Sequence, residues 1–326
     1  MHIKIGSWLA VLGLLFQLGI ANAQVNIPNL PAKPVTLINP LAPGGSTEVE
    51  GRLYVNKLHE ITGRTFVMDF KAGAGGTIGS AFVAKAAPDG TTLLISINDL
   101  SSFPALYKDL AFDPIRDLAP VSLMSEKVIV LVARADFPAR DISGYVAHAR
   151  ANPGKVNFGT TGSGGGVHIA GAWLHGVTGT RATFIPYKGT GPIIPDLLSG
   201  RVDATTSALV VVWPLIKSGK LRVLGITGNK RSNLLPGITT AADQGIPEFN
   251  YFNWVGILAP GATPAATIDA LNQAFVRVSR LPEVAAALEP DGNVLIGSTP
   301  GYFRDFLKAE SESRRRIITQ AGITIE

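Results

Sequence analysis

The apolar positions of this chain fall into short runs, and stretches with helical spacing lie between them. Runs of about four to eight β-branched and aliphatic residues bounded by Gly, Pro or Asp mark strands. They predict strands over 35–39, 65–69, 92–97, 128–133, 155–159, 183–186, 204–207, 221–227 and 254–259. Helical patterns predict helices over 47–62, 76–86, 142–152, 167–178, 192–199, 211–217, 264–280, 282–288 and 300–321. Ile268, Leu271, Phe275 and Val278 show the period plainly. Thr263-Pro264 and Thr299-Pro300 each read as an N-cap followed by proline at the first helical position. Asp89-Gly90 is a turn into the strand at Thr92. Residues 109–127 ("LAFDPIRDLAPVSLMSEKV") keep no period and read as an irregular crossing between two lobes. The alternation of strand and helix predicts an α/β protein with mostly parallel sheets.

Length and composition narrow this picture. A chain of 326 residues suffices for two domains of roughly 100–200 residues each. With 46% hydrophobic and 16% charged residues it builds a substantial core. Residues 1–23 read as an export signal. A short basic start (His2, Lys4) precedes the apolar stretch 5–20, and Ala21-Asn22-Ala23 fits cleavage before Gln24. The chain has no cysteine, which excludes disulfides, thiolate zinc sites and a lipid-modified cysteine after the signal. Export without an anchor predicts a periplasmic protein. The formal charge of +5 is spread along the chain, so a nucleic-acid partner is not expected. The one dense run, Arg314-Arg315-Arg316, lies late in a helical pattern and reads as a solvated face.

Three glycine-rich loops share one design: strand, glycines with hydroxyl residues, helix. They are Pro43-Gly44-Gly45-Ser46-Thr47, Gly73-Ala74-Gly75-Gly76-Thr77, and Thr160-Thr161-Gly162-Ser163-Gly164-Gly165-Gly166. Helix starts present unpaired N–H groups and the positive dipole end, and glycine lets the backbone approach a ligand. Such loops hold anions without fixed positive charge. Neither the phosphate-loop pattern nor the dinucleotide pattern is met: Ile78 and Val167 stand where the last glycine would be. A carboxylate is the expected anion.

Catalytic constellations are weak. Ser46 and Ser163 each lack one glycine of the nucleophile elbow. His168 and His175 lie seven apart on one predicted helix and could share a face, but no carboxylate cluster flanks them, so no metal site is expected. His168 reads as a ligand donor or a packed polar residue. Asn98, Asp99, Tyr187 and Ser207 sit just past, or at, the ends of predicted strands, where α/β proteins bind ligands. Trp213 and Trp254 read as core.

The segments "LAPGGST", "KAGAGGTIGSAFVAKAAPDGTTLL", "PALYKDLAFDPIRDLAPVSL", "GKVNFGTTGSGGGVHIAG", "PYKGTGPIIPDLLSGRVD", "SGKLRVLGITGNKRS" and "WVGILAPGATP" occur in one colinear order. Together they resemble the Bug-type solute receptors, the substrate-binding proteins of tripartite tricarboxylate transporters. The resemblance runs from about Pro34 to the C-terminus. It implies a two-lobed periplasmic binding protein fold of type II, with the ligand cleft between the lobes. Lobe 1 would be 24–127 plus 226–326, and lobe 2, inserted in it, 128–225. It implies a soluble, cofactor-free binding protein that closes on a small organic acid (a di-, tri- or aromatic carboxylate). Its partners would be integral membrane transporter subunits or a sensor kinase, and it would act as a monomer. Gly44, Gly45, Ser46, Thr47, Gly75, Gly76 and Thr77 would hold one carboxylate from lobe 1. Thr161, Ser163, Gly166 and His168 would face it from lobe 2, with Asn98, Asp99, Thr160, Tyr187 and Ser207 as further cleft candidates. Two departures stand out. Glu48 occupies a place where many members have Asp, and Ser207-Ala208 stand where many have an Asp-Asn pair. The second implies a pocket less suited to amino-acid ammonium groups and friendlier to an apolar or aromatic body. The rival expectation is a secreted α/β hydrolase or transferase.

Overall fold

The computed structural model describes residues 24–41, 43, 46–162, 164–187, 190–320 and 322–323. The export signal expected over 1–23 lies outside them. Eleven strands are described: β1 (Val35–Asn39), β2 (Phe66–Phe70), β3 (Thr92–Ile97), β4 (Leu118–Lys127), β5 (Ile129–Arg134), β6 (Asn157–Thr160), β7 (Thr183–Pro186), β8 (Ala204–Ala208), β9 (Leu221–Ile226), β10 (Asn253–Pro260) and β11 (Asn293–Leu295). The helices are α1 (Ser46–Thr62), α2 (Thr77–Ala84), α3 (Asp99–Leu106), α4 (Ile142–Ala151), α5 (Gly166–Thr178), α6 (Ile193–Ser199), α7 (Leu209–Lys217), α8 (Ala265–Ser279), α9 (Pro282–Leu288) and α10 (Pro300–Gln320). Among the described residues no helix is long and apolar enough to cross a membrane.

The strands form two separate sheets, in the orders β11-β4-β10-β3-β1-β2 and β7-β6-β8-β5-β9. Each is covered by apolar clusters. Leu37, Tyr54, Phe275 and Val255 belong to one cluster of the first sheet, and Ile38, Phe103, Trp254 and Phe303 to another. Tyr145, Phe158, Leu174 and Phe249 join one cluster of the second sheet, and Val130, Val132, Leu197 and Val212 another. Each such side chain contributes about 1.5–3 kcal/mol on full burial. The chain passes between the sheets twice. Val128 alone separates β4 from β5, and the segment between β9 and β10 makes the return. Thr227 ties the two passages together: its hydroxyl donates to the carbonyl of Tyr251 (2.6 Å) or of Ile129 (3.1 Å), and its N–H donates to Ile129 as well. The return segment leans on the second core, where Ala241, Ile246, Phe249 and Tyr251 are buried. Near the first passage Glu50 is buried on α1. It accepts from Ser125 (2.7 Å) and pairs with Lys127 (3.2 Å) at the end of β4.

Four expectations are corrected. Residues 118–127 are not irregular but form the long strand β4. Pro120 and scattered polar residues hide it in sequence, and register shifts in its pairing with β10, one of them beside Pro120, accommodate the missing N–H. The sheets are mixed rather than mostly parallel. β1–β2, β1–β3, β6–β7 and β6–β8 run parallel, whereas β10 is antiparallel to both its neighbours and β5 to both of its own. Apolar periodicity carries no strand direction; the two passages impose it. Thr263 does not cap α8. Pro264 occupies the N-cap, and the buried Thr263 hydroxyl has no partner among the described residues. At α10 the same dipeptide behaves as expected, with Tyr302 N–H donating to Thr299 Oγ1 at 3.2 Å. Finally, Arg314 is not on a solvated face but is 1% exposed. Helix α10 lies against α5 there, burying Ile317 and Ile318 with Ile169 and Ala172.

Candidate functional site

The loop after β2 turns on a run of positive φ angles: Gly73 (140°), Ala74 (45°), Gly75 (64°) and Gly76 (98°). L-residues avoid this region, so the glycines are required there. The run makes a concave turn at the start of α2. Gly76 N–H bonds back to Gly73 O (2.9 Å), while the amides of Ala74 and Gly75 find no acceptor among the described residues. Such a concavity of amides is an anion cradle. Two hydroxyls fix its outer rim: Thr77 Oγ1 donates to Ala74 O (2.9 Å), and so does the Tyr107 hydroxyl (3.2 Å). Gly79 packs so closely on Pro40 and the Lys71 carbonyl that a side chain there would collide with backbone, which seats this loop beside the one after β1. Of the latter, Thr47 is buried. Gly44, Gly45 and the side chain of Ser46 lie outside the described residues.

The loop after β6 is built differently. Gly162 (95°) and Gly164 (73°) take positive φ. Gly165 N–H is spent on Gly162 O (3.2 Å), and Gly164 N–H donates to His168 Nδ1 (3.0 Å). His168 is therefore neutral with its proton on Nε2, a donor with no acceptor among the described residues. Burial beside Phe184 (5.1 Å between ring centres) keeps its pKa below the ordinary histidine value. His175 does share this helix face, also meeting Phe184, but it belongs to the core. Its ring lies 3.0 Å from the Tyr145 hydroxyl and 2.7 Å from Thr180 Oγ1, and burial lowers its pKa to about 4. Ser163 lies outside the described residues. Thr160 is buried and Thr161 half-buried at the loop's start.

Two further candidates stay within their own half. The Tyr187 hydroxyl donates to Asp196 (2.7 Å), although its main chain borders Thr160 and Gly162. Ser207 is buried and bonds to the Ala208 carbonyl (3.1 Å). Asn98 and Asp99, at the start of α3, do the opposite: they meet the second half. Around the position a side chain on Gly166 would take lie the Tyr251 hydroxyl (2.6 Å), Asp99 Oδ1 (3.5 Å) and Asn98 Nδ2 (3.6 Å). The Asn98 amide donates to Tyr251 (3.2 Å). Beneath this junction the guanidinium of Arg314 lies 4.8 Å from the ring centre of Tyr251 and 5.7 Å from that of Trp173, and Glu310 accepts from it at 3.2 Å. Burial raises the Asp99 carboxyl to about 6, with Arg314 opposing the shift. Tyr251 and Arg314 carry no local sequence signal. They reach the cleft from the return passage and the last helix, and only the fold unites them.

Among the described residues no group of three His, Cys, Asp or Glu side chains could hold a metal ion. What the geometry offers is capture of an anion by main-chain amides, with a polar junction between the two halves.

A family model described as the tripartite tricarboxylate transporter family receptor matches residues 51–323. A UPF0065 protein from the tcbD-tcbE intergenic region of a Pseudomonas species is 34% identical over 89% of this chain and 87% of its own. The protein BugT of Bordetella pertussis is 32% identical over 98% of both chains. Among solved structures, the periplasmic binding protein BugD is 29% identical with a TM-score of 0.78, covering 90% of this chain and 100% of its own. A protein of R. palustris solved with adipate is 28% identical (TM-score 0.80, 90% and 99%). MatC from Rhodopseudomonas palustris with bound malate is also 28% identical (TM-score 0.77, 89% and 100%). The two-sheet architecture is thus that of the periplasmic binding proteins.

Proposed function

Because the chain belongs to the tripartite tricarboxylate transporter receptor family, we propose that it captures a small organic carboxylate in the periplasm and presents it to membrane transporter subunits. It acts as a receptor rather than an enzyme. The observation that carries this reading is the concave turn at 73–76, whose Ala74 and Gly75 amides find no acceptor among the described residues, together with the junction where the two halves meet at Gly166. In this reading the six-stranded unit (24–127 with 253–326) and the five-stranded unit (129–226, with the return segment 227–252 leaning on it) are lobes hinged at Val128 and the return passage, so the boundary expected at 225/226 moves to the start of β10. Gly75, Gly76 and Thr77, with Thr47 and the preceding loop, grip one carboxylate. Thr161, Gly166 and His168 close over the rest, and Asn98 and Asp99 line the floor. The adipate and malate in the two relatives support a carboxylate as the ligand class. Closure excludes water and strengthens each charge-assisted bond, worth roughly 1.5–3 kcal/mol. A few of these, less the ordering cost, reach micromolar affinity, about −8 kcal/mol.

The test is a thermal-shift panel of mono-, di-, tri- and aromatic carboxylates. A ligand at 100 times its Kd adds about 2.7 kcal/mol of stability and raises the melting temperature. The reading fails if no member of the panel raises it, or if turnover of an ester or amide appears instead.

A further inference from the structure

We propose that Asp99 and Tyr251 form a matched acceptor and donor on the cleft floor that selects acids carrying a hydroxyl group beside the carboxylate. This rests on the carboxylate-capture reading and adds the second group the ligand must bear.

Three observations converge. First, Asp99 is half-buried, and its carboxylate makes no hydrogen bond or ion pair with any described residue. Its neighbours by field are Arg314 beneath it, Tyr107 on the rim of the 73–76 turn, and Tyr251. It therefore lies between the carboxylate cradle and the second half, where the body of a bound acid passes. Second, Tyr251 is 2% exposed, and its hydroxyl accepts from Asn98 while its own proton has no acceptor among the described residues. Third, both oxygens lie about one point at the start of α5, 2.6 Å (Tyr251 hydroxyl) and 3.5 Å (Asp99 Oδ1) from where a side chain on Gly166 would begin, so they face one small region where the halves meet.

The chemistry of the pair decides the ligand. A carboxylate accepts only and a spare phenol proton donates only. A hydroxyl satisfies both, donating to Asp99 and accepting from Tyr251. A second carboxylate oxygen would meet Asp99 as like charge. An ammonium would satisfy Asp99 but has no lone pair for the Tyr251 proton, and its charge would face the Arg314 guanidinium behind that ring. A methylene would leave both polar groups dry and unpaired, the case that hydrogen-bonding sites reject most strongly. Asp99 thus gives the cleft a charge that the Ser207-Ala208 stretch lacks, and it moves the expected ligand away from a purely apolar body.

Calorimetry on the full-length mature chain tests this with matched pairs: lactate and propionate, malate and succinate, citrate and propane-1,2,3-tricarboxylate, with aspartate against malate. The hydroxylated member of at least one pair should bind tenfold or more tightly than its partner, and malate more tightly than aspartate. Asp99→Asn and Tyr251→Phe should each shrink the hydroxyl preference to threefold or less. Melting curves without ligand confirm that each variant is folded, and Asp99→Asn serves if Tyr251→Phe does not fold. Equal affinity within every pair, or a preference that Asp99→Asn leaves intact, overturns the inference while leaving carboxylate capture standing. Absence of binding by all of these acids and by the wider panel takes both down.

Discussion

In the proposed reading, the turn at 73–76 and the loop after β6 serve one cleft by different means. The first is made of backbone alone: four consecutive positive φ angles aim its amides, and among the described residues no titrating side chain accepts from them. The second leans on a side chain, because Gly164 N–H needs the lone pair of His168 Nδ1. A turn of the first kind depends on glycine and is indifferent to pH. A loop of the second kind tolerates backbone change better but fails once its histidine takes a proton.

The contrast can be broken most severely at Gly76. A Cβ there finds room, with the nearest atoms 3.5 Å or more away, so the first obstacle to any side chain is the φ of 98°. Gly76→Val should cost about 1–3 kcal/mol of stability and abolish ligand-induced thermal shifts. An unchanged shift would show that the turn is not the cradle.

Acid titration should act on both halves, in opposite directions. His175, held to about 4 by burial, binds its proton in the unfolded chain first. Its stabilising contribution is complete above about pH 6.5 and is lost as pH falls towards 4, with a slope up to about 1.4 kcal/mol per pH unit. Asp99, raised to about 6, opposes this: its contribution is complete below about 3.8 and is lost as pH rises through 6. Urea unfolding from pH 7 to 4 should therefore show a steeper fall in the Asp99→Asn background and a flatter one in His175→Gln. The same curve in all three would discard both assignments.

A smaller effect separates side chain from backbone within the second loop. His168→Ala should cost about 1 kcal/mol by stranding the Gly164 amide and weaken binding several-fold. His168→Asn, whose carbonyl can accept the same bond and stays neutral, should recover most of that affinity and remove its loss in acid. Least of all, Thr77→Val removes the bond to Ala74 O and the one hydroxyl Thr77 offers at the edge of the first turn. It should lower stability by roughly 0.5–1 kcal/mol and leave binding within a few-fold of the parent, since the amides still point the same way. Melting and titration of the two variants side by side would rank the loops.

Much of this protein could be read from its residues in order. Most of the strands and helices come from apolar spacing, and the glycine loops announce themselves because only glycine satisfies positive φ at a strand-to-helix turn, as at Gly75, Gly76 and Gly162. The resemblance carried the family and the two-lobed plan. Strand β4 escaped because Pro120 mimics a loop, and Thr263 misled because a threonine before proline reads alike whether or not its hydroxyl reaches a helix amide.

What the chain alone determined is therefore local: periodicity, turns and the places where backbone amides go unspent. What only the tertiary structure decided is which distant residues share a point in space. Arg314 looked like one of three solvated cations, yet the packing of α10 on α5 removes it from water, sets it under Tyr251 and lends its charge to Asp99. Burial and partnership belong to pairs of surfaces, and no single stretch of sequence contains both surfaces of a pair.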